Sequence, residues 1–320
     1  MPSARFHEIA SLVRNWGRWG ANDQLGTLNL IDAEARLRGV SSVATGETLS
    51  LGLALGKAEG IQPGFIEGRV DPDRTMIAIN GPLSPDPEWI CSSEDVVTMA
   101  LQAATHWDGL AHVSYDGKLY NGYPADSITS LGASSLGIEQ VTSLLSRGVL
   151  LDVPRALGLD RLQPGYAITP SDLDLACQMA KVSVLSGDIV LVRTGQQGFL
   201  TLDPDKTYNA PLPTKDLIAY TFPSAGLTIE TALWFHEHDV AAVGTDTLVG
   251  EVFPGEREED YLPVHLLHLV EMGMTQGQNF VLDRLAAACG EDGRYTFLLD
   301  ASPLPFTGGV GSPLNPIALR

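Results

Sequence analysis

The sequence predicts a single α/β domain with a central mixed sheet and surrounding helices. Short apolar runs of strand length alternate with stretches of helical periodicity, the pattern of mixed layers. No Pro/Ser-rich or charged linker divides the 320 residues, so one domain is expected over 1–320. A hydrophobic share of 44% is ample for one large core.

The elements follow in order. Residues 1–45 read as an N-terminal arm, in which the run Trp16 to Ile31 mixes turn-forming Gly and Asn/Asp with Leu28 and Leu30. Thr48-Leu-Ser-Leu-Gly-Leu-Ala-Leu55 alternates as a strand does. Residues 57–95 are rich in Pro and Gly, with Pro82, Pro85 and Pro87 close together. A segment of that length and composition is expected to be a lid or an oligomerisation arm. Gly148-Val-Leu-Leu-Asp-Val153 reads as a buried strand. Thr169 precedes Pro170 and Asp172, the signature of a capped helix start. Asp188 to Gly195 is a further strand, Thr228 to His238 an amphipathic helix, and Val240 to Asp246 the strand after it. Leu262 to Met272 is helical in pattern, and Tyr295-Thr-Phe-Leu-Leu299 again strand-like.

Charge excludes some functions. The chain carries 20 basic and 39 acidic side chains, a net charge of −19, which repels phosphate backbones and anionic lipid. Neither a nucleic-acid partner nor a membrane partner is expected, and no apolar run approaches the ~20 residues that span a bilayer. The first fifteen residues hold Arg5, Glu8 and Arg14 in place of a secretory apolar stretch, so a cytoplasmic location is expected. Cys91, Cys177 and Cys289 lie too far apart for a paired-cysteine motif and read as ordinary buried thiols.

The residues that carry chemistry are Gln102, His106, Asp108 and His112. Their offsets are all even. On a helix, 106 and 108 would diverge by about 200°. On an extended strand all four share one side, with neighbouring same-side positions ~6.6 Å apart. From 102 to 112 a straight strand would run ~33 Å, too far for one site. The chain must bend, and Gly109 is the expected place. Imidazole nitrogen with carboxylate oxygen suits Zn²⁺ or Mn²⁺. A polar strand face with one satisfied histidine is the plainer alternative, but two histidines and an aspartate within seven residues favour a site.

A second group, His265 and His268, shares one helix face and is followed by Gln278. Taken alone, this pair reads first as structural. His236 and His238 end a helix, where a cationic ring favours the dipole, and are left out of the site. Gly308-Gly309-Val310-Gly311 lacks the lysine and following helix of a phosphate loop, and no Gly-x-Ser-x-Gly motif is present.

Thr105-His106-x-Asp108-x-x-x-His112 resembles the second half of His-x-Gly-Thr-His-x-Asp-x-Pro-x-His, the signature of the cyclase-like metal-dependent hydrolases. That family includes kynurenine formamidases and isatin hydrolases. Arg18-Trp-Gly-Ala-Asn-Asp-Gln-Leu-Gly-Thr-Leu-Asn29, Gly187 to Gly195, Gly226-Leu-Thr228 and Gly311-Ser-Pro-Leu-Asn-Pro316 resemble its larger, roughly 300-residue branch in the same order. The resemblance implies a barrel-like swivelling β/β/α core, a homo-oligomer (dimer or tetramer), and one divalent ion, Mn²⁺ or Zn²⁺. It implies metal ligands at His106 and Asp108, with Gln102 and Gln278 standing where the family has a histidine and a carboxylate. Their neutral amides argue for one ion and against two. It also implies catalytic roles for His112 and His265. The expected reaction is hydrolysis of the C–N or C–O bond of a small cyclic amide, N-acyl amide or lactone. A metal-weakened ligand-binding member and an intramolecular cyclase or dehydratase stay open as alternatives. Tyr115, Tyr120 and Trp107 are candidates for contacting the small-molecule substrate, and Tyr115, Tyr120 and Tyr123 would serve equally as half-buried structural rings.

Overall fold

Among the described residues, nine strands form one sheet that curls into a half-barrel. Their order is β1 (Thr48–Ser50), β15 (Ile317–Leu319), β13 (Thr296–Asp300), β7 (Leu145–Asp152), β9 (Ile189–Arg193), β11 (Ala242–Thr245), β12 (Thr275–Gln278), β4 (His106–Asp108) and β14 (Gly311–Pro313). The remaining strands pair outside it: β2 (Asp73–Pro82) with β3 (Cys91–Thr98), β5 (Ile128–Thr129) with β6 (Gly132–Ala133), and β8 (Ala167–Ile168) with β10 (Gly226–Leu227). The structure is a computed structural model that describes residues 2–56, 69–70, 72–199 and 222–320.

The four middle strands β7, β9, β11 and β12 are parallel, and both flanks are antiparallel. Parallel strands covered on both faces need apolar residues at every position, not alternate ones. Ile189-Val190-Leu191-Val192 meets that need: Val190 and Val192 enter one core, Ile189 and Leu191 the other. The first core lies under helices Ala4–Val13, Pro170–Ala180 and Thr231–Glu237; the second holds Trp107, Phe280 and Phe297 with helix Asp283–Asp292. The expected mixed, barrel-like α/β domain is what the structure displays.

Local signals explain the element ends. Thr169 and Asp172 form a reciprocal capping box at helix Pro170–Ala180, as Thr-Pro-x-Asp predicts. The stretch expected as a helix over Leu262 to Met272 is one turn, Pro263–His265, that widens into a π-helix, Leu266–Met272, closed by left-handed Gly273. The strand expected over 48–55 pairs only through Ser50, after which the Leu51 and Leu53 amides donate to the Pro316 carbonyl and to Thr105 Oγ1.

In the Pro/Gly-rich 57–95 segment, residues 57–68 and 71 lie outside the described residues. The rest differs from a structureless segment. Thr75, Ile77, Ile79, Val96 and Val97 are β-formers, and their two strands pair as an antiparallel hairpin with the clustered prolines at or between its strand ends. Most of both strands is exposed, including Ile79 at 72% and, between them, Trp89 at 79%. Cys91, expected to be buried, is exposed here, whereas Cys289 is buried and Cys177 half-buried. Among the described residues, no helix is long and apolar enough to cross a membrane.

Candidate metal centre

Strand β4 is three residues long and wholly buried between β12 and β14. Its alternation sends His106 and Asp108 to one face and Trp107 to the other. Trp107 meets Phe280 with ring centroids 5.1 Å apart and donates from Nε1 to the Ala301 carbonyl at 2.7 Å. Gly277, its register partner, makes room: a Cβ there would lie 2.6 Å from the indole and 2.5 Å from Phe280. The chain then bends at Gly109, as the spacing requires, and the His112 amide closes the turn on the Gly109 carbonyl at 2.9 Å.

The resulting cavity, about 440 Å³, is lined by His106, Asp108, His112, His265 and Gln278 on its polar side, together with Arg69. Val113, Leu248, Val249, Phe253, Tyr261 and Leu262 complete the wall.

Each polar group has an identifiable setting. Ala104 adopts φ 51° and turns its carbonyl onto His106 Nδ1 at 2.9 Å, leaving Nε2 as a lone pair facing the cavity. Burial, only partly offset by Asp108, pushes the His106 pKa down to about 4, so the ring is neutral. Gln278, across the β4–β12 register, donates from Nε2 to Asp108 Oδ2 at 2.8 Å. Asp108 Oδ1 has no hydrogen-bond donor among the described residues, and neither has Gln278 Oε1 an opposite number. Burial opposes ionisation of Asp108, but His112, His106, His265 and the Gln278 bond outweigh it and lower its pKa. His112 is shifted down by burial against the pull of Asp108.

His265 is set differently. Its Nδ1 bonds Glu251 Oε1, while the Glu251 oxygens also receive the Val264 and His265 amides at 3.0 and 3.1 Å. Burial opposes the cation, but the Glu251 hydrogen bond and charge, with Asp108, prevail and raise its pKa. His265 Nε2 lies 3.8 Å from Asp108 Oδ2.

Among the described residues, no group of three or more His, Cys, Asp and Glu side chains is already placed to hold a metal ion. The pair distances nevertheless fit: His106 Nε2 and His112 Nε2 lie 3.6 and 3.5 Å from the unpartnered Asp108 Oδ1. Two donors ~2.1 Å from one tetrahedral ion are ~3.4 Å apart. Nitrogen with carboxylate oxygen suits Zn²⁺ or Mn²⁺, so the residues present fit one such ion.

The expected site residues divide. His106, Asp108, His112, His265 and Gln278 are brought together. Gln102 lies over Gly311, the register partner of Asp108, beside the cavity and not in its lining. Trp107 is held in the core on the far face, Tyr120 is fully buried with its hydroxyl on Asp23 at 2.9 Å, and Tyr115 bonds Glu271. None of these three rings lines the cavity; each hydroxyl or indole N–H already has an internal partner. Glu251 and Arg69 were not singled out by the sequence. Glu251 carries no periodic signal, and Arg69 sits inside a segment flagged only for its Pro and Gly content.

His106 and Asp108 on β4, and His112 just beyond the bend that follows it, thus face one cavity of the half-barrel. The cyclase family model matches residues 49–252, and the chain belongs to that family. It is similar to a crystal structure of a novel cyclase at 35% identity and a TM-score of 0.85, over 97% of this chain and 99% of that one. Isatin hydrolase A from Labrenzia aggregata is more distant, at 19% identity and a TM-score of 0.59 over 88% of this chain and 97% of that one. A predicted metal-dependent hydrolase from Bacillus stearothermophilus shares 16% identity and a TM-score of 0.51, over 86% and 98% of the respective chains. No curated protein matches the sequence.

Proposed function

We propose that this chain is a hydrolase that uses one divalent ion, Mn²⁺ or Zn²⁺, to cleave the C–N or C–O bond of a small cyclic amide, N-acyl amide or lactone. The observation that carries the proposal is the buried Asp108 Oδ1, without a hydrogen-bond donor among the described residues and flanked by two imidazole nitrogens at ligand-pair distance. His106, Asp108 and His112 would hold the ion, with Gln278 orienting Asp108 through its amide. A bound divalent ion supplies Lewis acidity, polarising a carbonyl and making water more acidic.

The chain's own groups would handle the protons. His265, its Nδ1 fixed on Glu251, presents Nε2 to the cavity, and its raised pKa would suit it to proton donation to a leaving nitrogen or oxygen. His112, its pKa lowered by burial, would keep its Nε2 lone pair for the ion. Leu248, Phe253 and Leu262 would give the rest of the cavity an apolar lining for the body of the substrate. A homo-oligomer belongs to the same proposal: the hairpin leaves Ile77, Ile79 and Trp89 exposed, as a self-associating surface would before assembly.

The test is a screen of cyclic imides, lactams, N-formyl anilines and lactones with and without chelator, read by mass spectrometry. Products heavier by one water, formed only before chelation, support the proposal. A product that has lost water or merely isomerised would make the chain a dehydratase or cyclase. No turnover of any class would leave the ligand-binding alternative.

A further inference from the structure

Arg69 lines the same cavity as His106, Asp108 and His265, and the residue is half-buried. The other well-covered arginines of this chain meet carboxylates. Arg147 donates to Asp188, Arg193 to Asp152 and Asp283, and Arg320 to Glu47 and Asp292. Arg69 makes no ion pair among the described residues; Asp108 attracts it, but from beyond salt-bridge distance. A desolvated guanidinium without a counter-ion costs free energy, and burial does push its pKa down. Its charge is felt across the site, where it lowers the pKa of His106, His112 and His265.

The same cavity is also lined by Leu248, Phe253, Tyr261 and Leu262, with the Phe253 and Tyr261 rings edge to face at 6.2 Å. The cavity thus offers a planar five-donor cation at one position and an apolar, aromatic-sized wall at another. A guanidinium of this kind pairs bidentately with a carboxylate, and a cavity of this volume takes a small molecule. On a chain of net charge −19, such a local positive site is a specific feature against a repulsive background.

We propose that Arg69 is a specificity-determining residue that receives a carboxylate, so that the ligand of this site is a small anion with an apolar, ring-sized body. This rests on the proposed function in one respect: if the ligand is a substrate, the carboxylate is additional to the bond that is cleaved.

Benzoate and its neutral isostere benzamide are the probes. They are titrated calorimetrically at low ionic strength into wild type, Arg69→Met and Arg69→Lys, each as purified and after chelator treatment. The expected result is that wild type prefers benzoate by about tenfold or more, the scale of one charge-assisted contact, with and without chelator. Arg69→Met abolishes that preference while benzamide binding stays within about twofold, which also shows that the variant folds, and Arg69→Lys keeps part of it. No benzoate binding, equal binding of the two probes, or a preference that survives in Arg69→Met overturns the proposal. A preference lost on chelation also overturns it, since the carboxylate then belongs to the ion. Absence of hydrolysis would count against the proposed function alone and leave this result standing.

Discussion

Two walls of the cavity face the same aspartate, and they treat histidine in opposite ways. On the sheet wall, His106 is backed by the Ala104 carbonyl, and burial holds it neutral with a pKa near 4. On the helix wall, His265 is backed by the Glu251 carboxylate, and the same burial is overcome, so its pKa is raised. Both rings are buried to a similar degree, 3% and 7% exposed, so exposure does not separate them. The atom behind Nδ1 does: a neutral acceptor fixes the tautomer and makes a good metal donor, whereas a charged one also stores a proton. On the proposed function, one cavity would thereby obtain a ligand and an acid from the same side chain.

The sharpest way to break this contrast is to remove the carboxylate between the walls. Asp108→Ala should lower any hydrolytic activity by more than about a hundredfold, because loss of a ligand exceeds the ~10–100-fold typical of outer partners. Steady-state rates at saturating Mn²⁺ or Zn²⁺ check it. Next comes Glu251→Gln, which leaves a hydrogen bond but removes the charge. Activity should fall about 10–100-fold. The sign of the pH effect follows from the shift: Glu251 raises the His265 pKa, so its loss lowers that pKa. A general acid must be protonated, and the alkaline limb of the rate profile should therefore move to lower pH in the variant. An unmoved limb would remove His265 from the acid role.

On the sheet wall, Gln278→Leu deprives Asp108 Oδ2 of its donor at 2.8 Å. The expected effect is smaller, a loss of about tenfold in metal affinity, measured by competition with a chromophoric chelator. The smallest effect lies just outside the cavity. His268 is wholly buried, bonds Gln276 Oε1 at 3.0 Å, and burial pushes its pKa down to about 3. Its folded pKa is depressed below the ordinary value of about 6.5, so the unfolded chain takes up this proton first as pH falls. Stability should decline from about pH 6.5 toward 3, and His268→Gln should flatten that decline in urea midpoints taken at pH 7 and 5.

How much of this was legible in the sequence depends on whether neighbours in space are neighbours in the chain. The even offset of 106 and 108 gives the face of β4, and the glycine after them gives the bend. The continuous apolar run Ile189 to Val192 announces a strand covered on both sides. Thr169 and Asp172 announce their helix. What was not legible is convergence. Glu251 reaches His265 across a loop, Arg69 reaches the cavity from a segment read only as Pro- and Gly-rich, and neither leaves a periodic trace. Tyr115 and Tyr120 follow the motif in sequence yet turn away from it, because buried Glu271 and half-buried Asp23 provide acceptors for their hydroxyls. The exposed hairpin shows β-former strands in a segment whose prolines drew attention first.

The central claim is that Asp108 and the two imidazoles beside it hold an ion, and metal content per chain is its most direct test. Elemental analysis after dialysis should find about one Mn or Zn per chain in the wild type, the count for a single mixed nitrogen and oxygen site, and essentially none in Asp108→Ala. No metal in either protein, even after soaking in both ions, would contradict the account and leave a ligand-binding protein on the same scaffold.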